Sequence, residues 1–101
     1  MAKIAPIHPG HFLLENLEDL GITQYRLAKT IGVPPRRINE IVHGRRSITA
    51  DTALRIGRAL GTTPEFWLNL QRHYDLDVAR NSIDVDVIEP LTSRDTAPVA
   101  A

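Results

Sequence analysis

Glycine punctuation constrains this chain more than any other feature. Gly21, Gly32, Gly44 and Gly61 each close a short segment with apolar residues at helical spacing, and a capping threonine or a proline opens the next segment a few residues on. A chain cut this way folds as several short helices joined by tight turns. The first helix is expected over about residues 9–20, with Pro9 in its first turn and Leu13, Leu17 and Leu20 on one face. Thr23 caps a second, which carries Tyr25, Leu27, Ala28 and Ile31. Pro34 and Pro35 forbid extension of that helix but suit the start of a third, with Ile38, Ile41 and Val42 inward. A fourth starts at Thr49 or Asp51 and presents Ala53, Leu54, Ile56, Gly57 and Leu60. The fifth has Thr63 as cap, Pro64 in its first turn and Glu65 where the helix dipole favours an acid, and it reaches about residue 79. The expected class is all-α.

At 101 residues the chain holds one domain, placed here over residues 1–80, with no room for a second. Residues 81–101 form an acidic tail of different character, rich in small residues and without a helical stripe. Within it, residues 83–87 alternate apolar and acidic side chains, the period of a strand, and a lone strand needs a partner to be stable. The tail is therefore expected to be irregular or strand-like. Cysteine is absent, which excludes disulfides, a thiol nucleophile and a Cys-containing zinc site. No apolar run approaches the ~20 residues of a membrane span and none resembles a signal peptide, so a cytoplasmic protein without membrane contact is expected.

Twelve basic side chains balance twelve acidic ones. Taken as a total, that balance argues against a polyanionic partner. The distribution argues the other way. Residues 24–46 hold Arg26, Lys29, Arg36, Arg37, Arg45 and Arg46 against Glu40 alone, a net +5, whereas residues 1–23 carry −2 and residues 81–101 carry −3. The basic block coincides with the second and third helices.

Those two helices, over about residues 23–44, meet at a turn containing Gly32, with small Ala28 where they must approach closely, and this meets the demands of a helix-turn-helix. Leu27, Ala28, Val33, Ile38 and Ile41 supply the apolar set that locks the pair; a plain helical hairpin would use the same five residues. What distinguishes the segment is its outward face. Arg36, Arg37, Asn39, Glu40 and His43 are side chains suited to base edges, arginine to guanine, asparagine to adenine, glutamate to cytosine. Arg45 and Arg46 follow where phosphates would pass, and Gln24 opens the second helix with an amide able to bond a phosphate.

Three stretches, IHPGHFLLENLEDLGIT, QYRLAKTIGVPPRRINEIVHGRRSITADTALRIGRALGTTPEFWLNLQ and YDLDVAR, resemble the lambda-repressor-like (Xre-type) helix-turn-helix proteins, and among them the HigA-type antitoxins of toxin–antitoxin modules. The resemblance covers roughly residues 7–80, and ITADTALRIGRALGTTPEFWLNLQ is its most specific part. His11 departs from it, standing where an acidic residue is expected, outside the DNA-contacting helices. The resemblance implies a five-helix lambda-repressor-like fold. It further implies a phosphate contact from Gln24, base or phosphate contacts from Pro35, Arg36, Arg37, Asn39 and Glu40, and backbone contacts from Arg45 and Arg46. As a proline, Pro35 offers only van der Waals contact. Such proteins act as homodimers on palindromic double-stranded operators, repress their own operon and neutralise a small RelE/HigB-like RNase toxin.

Other signals are weaker. His8 and His11 could share a helical face, but two histidines without further ligands make a poor metal site, and no metal or other cofactor is expected. On the fifth helix, Phe66 and Leu70 read as core, while Trp67 and Tyr74 are candidates for a dimer surface. No Gly-rich phosphate loop and no Ser/His/Asp arrangement is present, which leaves no catalytic residues and disfavours an enzyme. Two alternatives stay open: an interaction module whose acidic tail sequesters a basic toxin, with DNA binding incidental, and a stand-alone regulator without a toxin.

Overall fold

A computed structural model describes residues 5–92 as five α-helices and one short 3-10 turn, with no strand among them. The helices are α1 (Pro9–Leu20), α2 (Gln24–Ile31), α3 (Pro35–Val42), α4 (Ala50–Leu60) and α5 (Pro64–Ser82). Their starts follow the local chemistry. Thr23, Thr49 and Thr63 accept hydrogen bonds from the backbone N–H of Arg26, Thr52 and Phe66, and His8 does the same for Gly10 through its ring. Each such cap satisfies a donor the helix leaves orphaned and contributes about 1 kcal/mol.

The core is built from one stripe of each helix. Leu13 and Leu17 of α1, Leu27, Ala28 and Ile31 of α2, Ile38 and Ile41 of α3, Ala53 and Ile56 of α4 and Trp67 of α5 are buried, joined by Val33 and Ile48 from the turns. α2 packs on α3, α1 crosses both α3 and α5, and α4 lies between α2 and α5. Gly10 permits the closest of these approaches, because any β-carbon there would fall on the Ile41 carbonyl oxygen. α1 thus lies flush against the back of α3.

Several side chains depart from the expected pattern. Leu20, Tyr25 and Leu54 lie on the solvent side of their helices. On α5 the core and surface roles of two neighbours are exchanged: Trp67 is fully buried, while Phe66 is 46% exposed. The Trp67 indole N–H donates to the Thr62 hydroxyl at 2.6 Å, so the ring closes the core and is removed from any dimer surface. Leu70 is partly buried against the core and Tyr74 is half-buried, its ring edge-on to His8.

α5 runs to Ser82, three residues beyond the expected end, its last turn held by the Ser82 hydroxyl donating to the Val78 carbonyl. Only Trp67 and Gln71 of this helix are buried, and its later turns expose Leu76 and Val78. The strand-like reading of residues 83–87 does not hold. Val85–Val87 form a 3-10 turn, capped by the Asp84 carboxylate accepting from the Asp86 N–H. Residues 93–101 of the tail lie outside the described residues.

Candidate nucleic-acid interface

α2 and α3 meet through the turn at Gly32 and Val33. Gly32 takes φ +75°, the left-handed conformation an L side chain resists, and both Gly32 and Val33 donate to the Ala28 carbonyl. Arg55 of α4 braces the same point, donating to the Ile31 carbonyl at 2.7 Å while Asp51 holds its Nε edge. The angle between the two helices is therefore supported from inside and outside.

α3 turns Ile38 and Ile41 into the core, which leaves Arg36, Asn39, Glu40 and His43 along the opposite side, one turn apart in sequence. Arg36, Asn39 and His43 are exposed and Glu40 is half-buried. Arg37 lies one turn before buried Ile41 and is half-buried at the rim of the face. Pro35 is exposed in the first turn of α3. Gln24, half-buried at the start of α2, accepts from the Asn39 amide at 3.4 Å, so the start of α2 is linked to the outward face of α3. The His43 ring lies 2.7 Å from the Asn39 carbonyl and caps the outer end of the face.

The end of α3 positions the remaining arginines. Gly44, at φ +74°, lets the chain reverse so that its own N–H reaches the Ile41 carbonyl and the Arg45 N–H reaches the Glu40 carbonyl. Arg45 and Arg46 emerge exposed beside α3. Arg46 Nε then donates to the Glu40 carboxylate at 2.9 Å, while Arg36 Nε approaches its other oxygen at 3.3 Å. The Arg46 hydrogen bond, assisted by the charges of both guanidiniums, holds the Glu40 carboxyl below its ordinary pKa.

Two positioning residues escaped the sequence reading. Gln71, buried on α5, accepts from the Ile48 N–H at 2.8 Å and donates to the Ser47 hydroxyl and the Asp75 carboxylate, tying the arginine loop to α5. His8 lies beside Gly44, with its Nδ1 accepting from the Gly10 N–H. Burial lowers the His8 pKa, and Asp75 and the Arg46 backbone offset this only in part. A glutamine inside the Trp67–Gln71–Tyr74 stripe was the available signal for the first. His8, just before Pro9, reads from the sequence as a helix-entry residue and caps α1, but nothing local marked its place beside the arginine loop.

This arrangement presents a row of hydrogen-bonding side chains on one rigid helix, flanked by a helix N-terminus and a fixed arginine loop. Hydrogen-bonding side chains of this kind, flanked by arginines, suit a nucleic-acid groove. Among the described residues no three His, Asp or Glu side chains gather to hold a metal, and no helix is long and apolar enough to cross a membrane.

Comparison with known proteins agrees with the geometry. The helix-turn-helix family matches residues 13–67. Antitoxin HigA-1 of Vibrio cholerae is 41% identical over 80 residues, covering 78% of this chain and 75% of that protein. Among solved structures, an addiction module antidote protein of the HigA family from Coxiella burnetii is 50% identical with a TM-score of 0.76, covering 78% of this chain and 87% of that one. Antitoxin HigA of Pseudomonas aeruginosa, solved with the higBA promoter, is 38% identical with a TM-score of 0.79, covering 87% of this chain and all of that one. The chain belongs to the helix-turn-helix family, within its group of HigA antitoxins.

Proposed function

We propose that this protein is a sequence-specific DNA-binding repressor and the antitoxin of a HigB/HigA-type module, binding a palindromic operator of its own operon and neutralising a RelE/HigB-like RNase toxin in the cytoplasm. One observation carries the DNA-binding half: the outward row Arg36, Asn39, Glu40 and His43 on α3, held beside Gln24 and the Arg45–Arg46 loop. The promoter-bound relative supports the same assignment, since its fold superposes over most of this chain. No catalytic role is needed.

One α3 in one groove contacts few base pairs, so operator affinity requires a homodimer placing two copies about one helical turn, ~34 Å, apart. The later turns of α5 supply exposed apolar side chains for this, Leu76 on one side and Val78 on another, one turn from half-buried Tyr74, with Ile83 beyond them. The toxin-neutralising half follows from the family. The described part of the tail favours a contact there, because Val85, Val87 and Ile88 are exposed among Asp84, Asp86 and Glu89, a surface suited to a basic partner.

The test joins both halves. The protein should bind a duplex from upstream of its own reading frame far more tightly than a shuffled duplex, and co-expression should rescue cells from the product of the adjoining reading frame. Equal binding to both duplexes would remove the repressor assignment. A harmless neighbouring product would leave a stand-alone regulator. Deleting residues 83–101 separates the surfaces: undiminished rescue would place the toxin contact on the helical body.

A further inference from the structure

Glutamate on a DNA-facing helix ordinarily suggests a base reader, its carboxylate accepting from a cytosine amine. In this protein both carboxylate oxygens of Glu40 are already engaged, one by Arg46 Nε at 2.9 Å and the other by Arg36 Nε at 3.3 Å. Its backbone carbonyl also accepts from the Arg45 N–H, so a single residue touches Arg36, Arg45 and Arg46. The Glu40 side chain is the least exposed member of the trio, at 21% against 49% for Arg46 and 86% for Arg36. It lies beneath the guanidiniums, and each is held by its Nε edge with its terminal nitrogens left available.

We propose that Glu40 is a positioning residue that sets sequence specificity: it holds Arg36 and Arg46 in fixed orientations and subtracts charge from the face, and it does not read a base itself. The proposal rests on the DNA-binding reading above. An arginine held by one edge loses less freedom when it meets a guanine, which favours the matched sequence. A carboxylate between two arginines also repels phosphates, which weakens attachment to every sequence alike. Glu40 therefore acts twice on the ratio of matched to unmatched binding, raising it by orientation and protecting it by repulsion.

The test uses the full-length chain, a duplex that the parent protein selects from a random library, a random duplex, and a panel of the selected duplex with each base pair changed in turn. Glu40→Gln, nearly isosteric, should keep the thermal midpoint of the parent. Its affinity for the random duplex should rise several-fold, with the slope of log K against log salt steeper by about one. Preference for the selected duplex should fall by about tenfold or more, spread over the positions that Arg36 reads. Glu40→Ala, which removes the remaining hydrogen-bond acceptor, should fall further in the same direction. Loss of discrimination confined to one C·G pair, with an unchanged salt slope, would make Glu40 a base reader and overturn the proposal. Unchanged binding to both duplexes would overturn it equally. A parent that selects no duplex removes the DNA-binding premise as well, and this outcome is distinct because it is seen without any variant.

Discussion

Arg36 and Arg45 carry the same charge a few residues apart, yet they should fail differently. Arg36 projects from the exposed face of α3, whereas Arg45 is exposed in the turn beyond Gly44, where the proposed interface would meet flanking phosphates. Arg36→Ala is expected to cost ~1–3 kcal/mol on the preferred duplex and to relax base preference, while Arg45→Ala weakens binding to all duplexes and flattens the salt slope by about one. Fluorescence anisotropy over a salt series measures both. His8 makes a separate prediction about pH. Its folded pKa lies below the ordinary 6.5, so the folded protein binds fewer protons than the unfolded chain as pH falls through that value. The contribution from His8 is complete above pH 6.5 and is lost as pH drops toward the lower folded pKa, because burial disfavours the charged ring, whose Nδ1 must also give up the bond from the Gly10 N–H. Asparagine also caps helices without titrating near neutrality. His8→Asn should accordingly flatten the pH dependence of urea stability between pH 7.5 and 5, and an unchanged dependence would assign it to another group.

At the scale of the elements, Gly10 tests the packing of α1 on the back of α3. Gly10→Ala forces those helices apart at Ile41 and should destabilise the fold by about 1–3 kcal/mol or more, read from urea unfolding. The starts and stops of the helices were legible because threonine caps, prolines and glycines act locally, within a turn of where they stand. Which face of α5 turns inward was not. Phe66 and Trp67 are neighbours separated by about 100° of helix rotation, and the docking of α5 on α4 and α1 selects Trp67. Periodicity in the tail misled for a related reason: Asp84 favours a turn by bonding the Asp86 N–H, and among the described residues no strand offers residues 83–87 a ladder. The outward-facing residues of α3 could be named from spacing and charge. Their partnership with Arg46 could not, since it depends on the reversal at Gly44 carrying the chain back to Glu40.

For the whole molecule, zero net charge conceals a basic helix-turn-helix flanked by acidic ends. Such a charge distribution fits the proposed function, with one face suited to DNA and the other to a basic partner. The proposed homodimer makes a further prediction. Replacing Leu76 and Val78 together by aspartate should shift the sedimenting species to a monomer and reduce operator affinity, while leaving the core and its thermal transition largely intact, because both side chains are already exposed. The central claim is that α3 reads sequence. It is tested most directly by titrating the Arg36→Ala/Asn39→Ala variant against the selected and random duplexes beside the parent. The variant should lose about a hundredfold or more on the selected duplex and far less on the random one, as removal of two base contacts requires. Parent-like discrimination by the variant would contradict it and place sequence reading elsewhere on the protein.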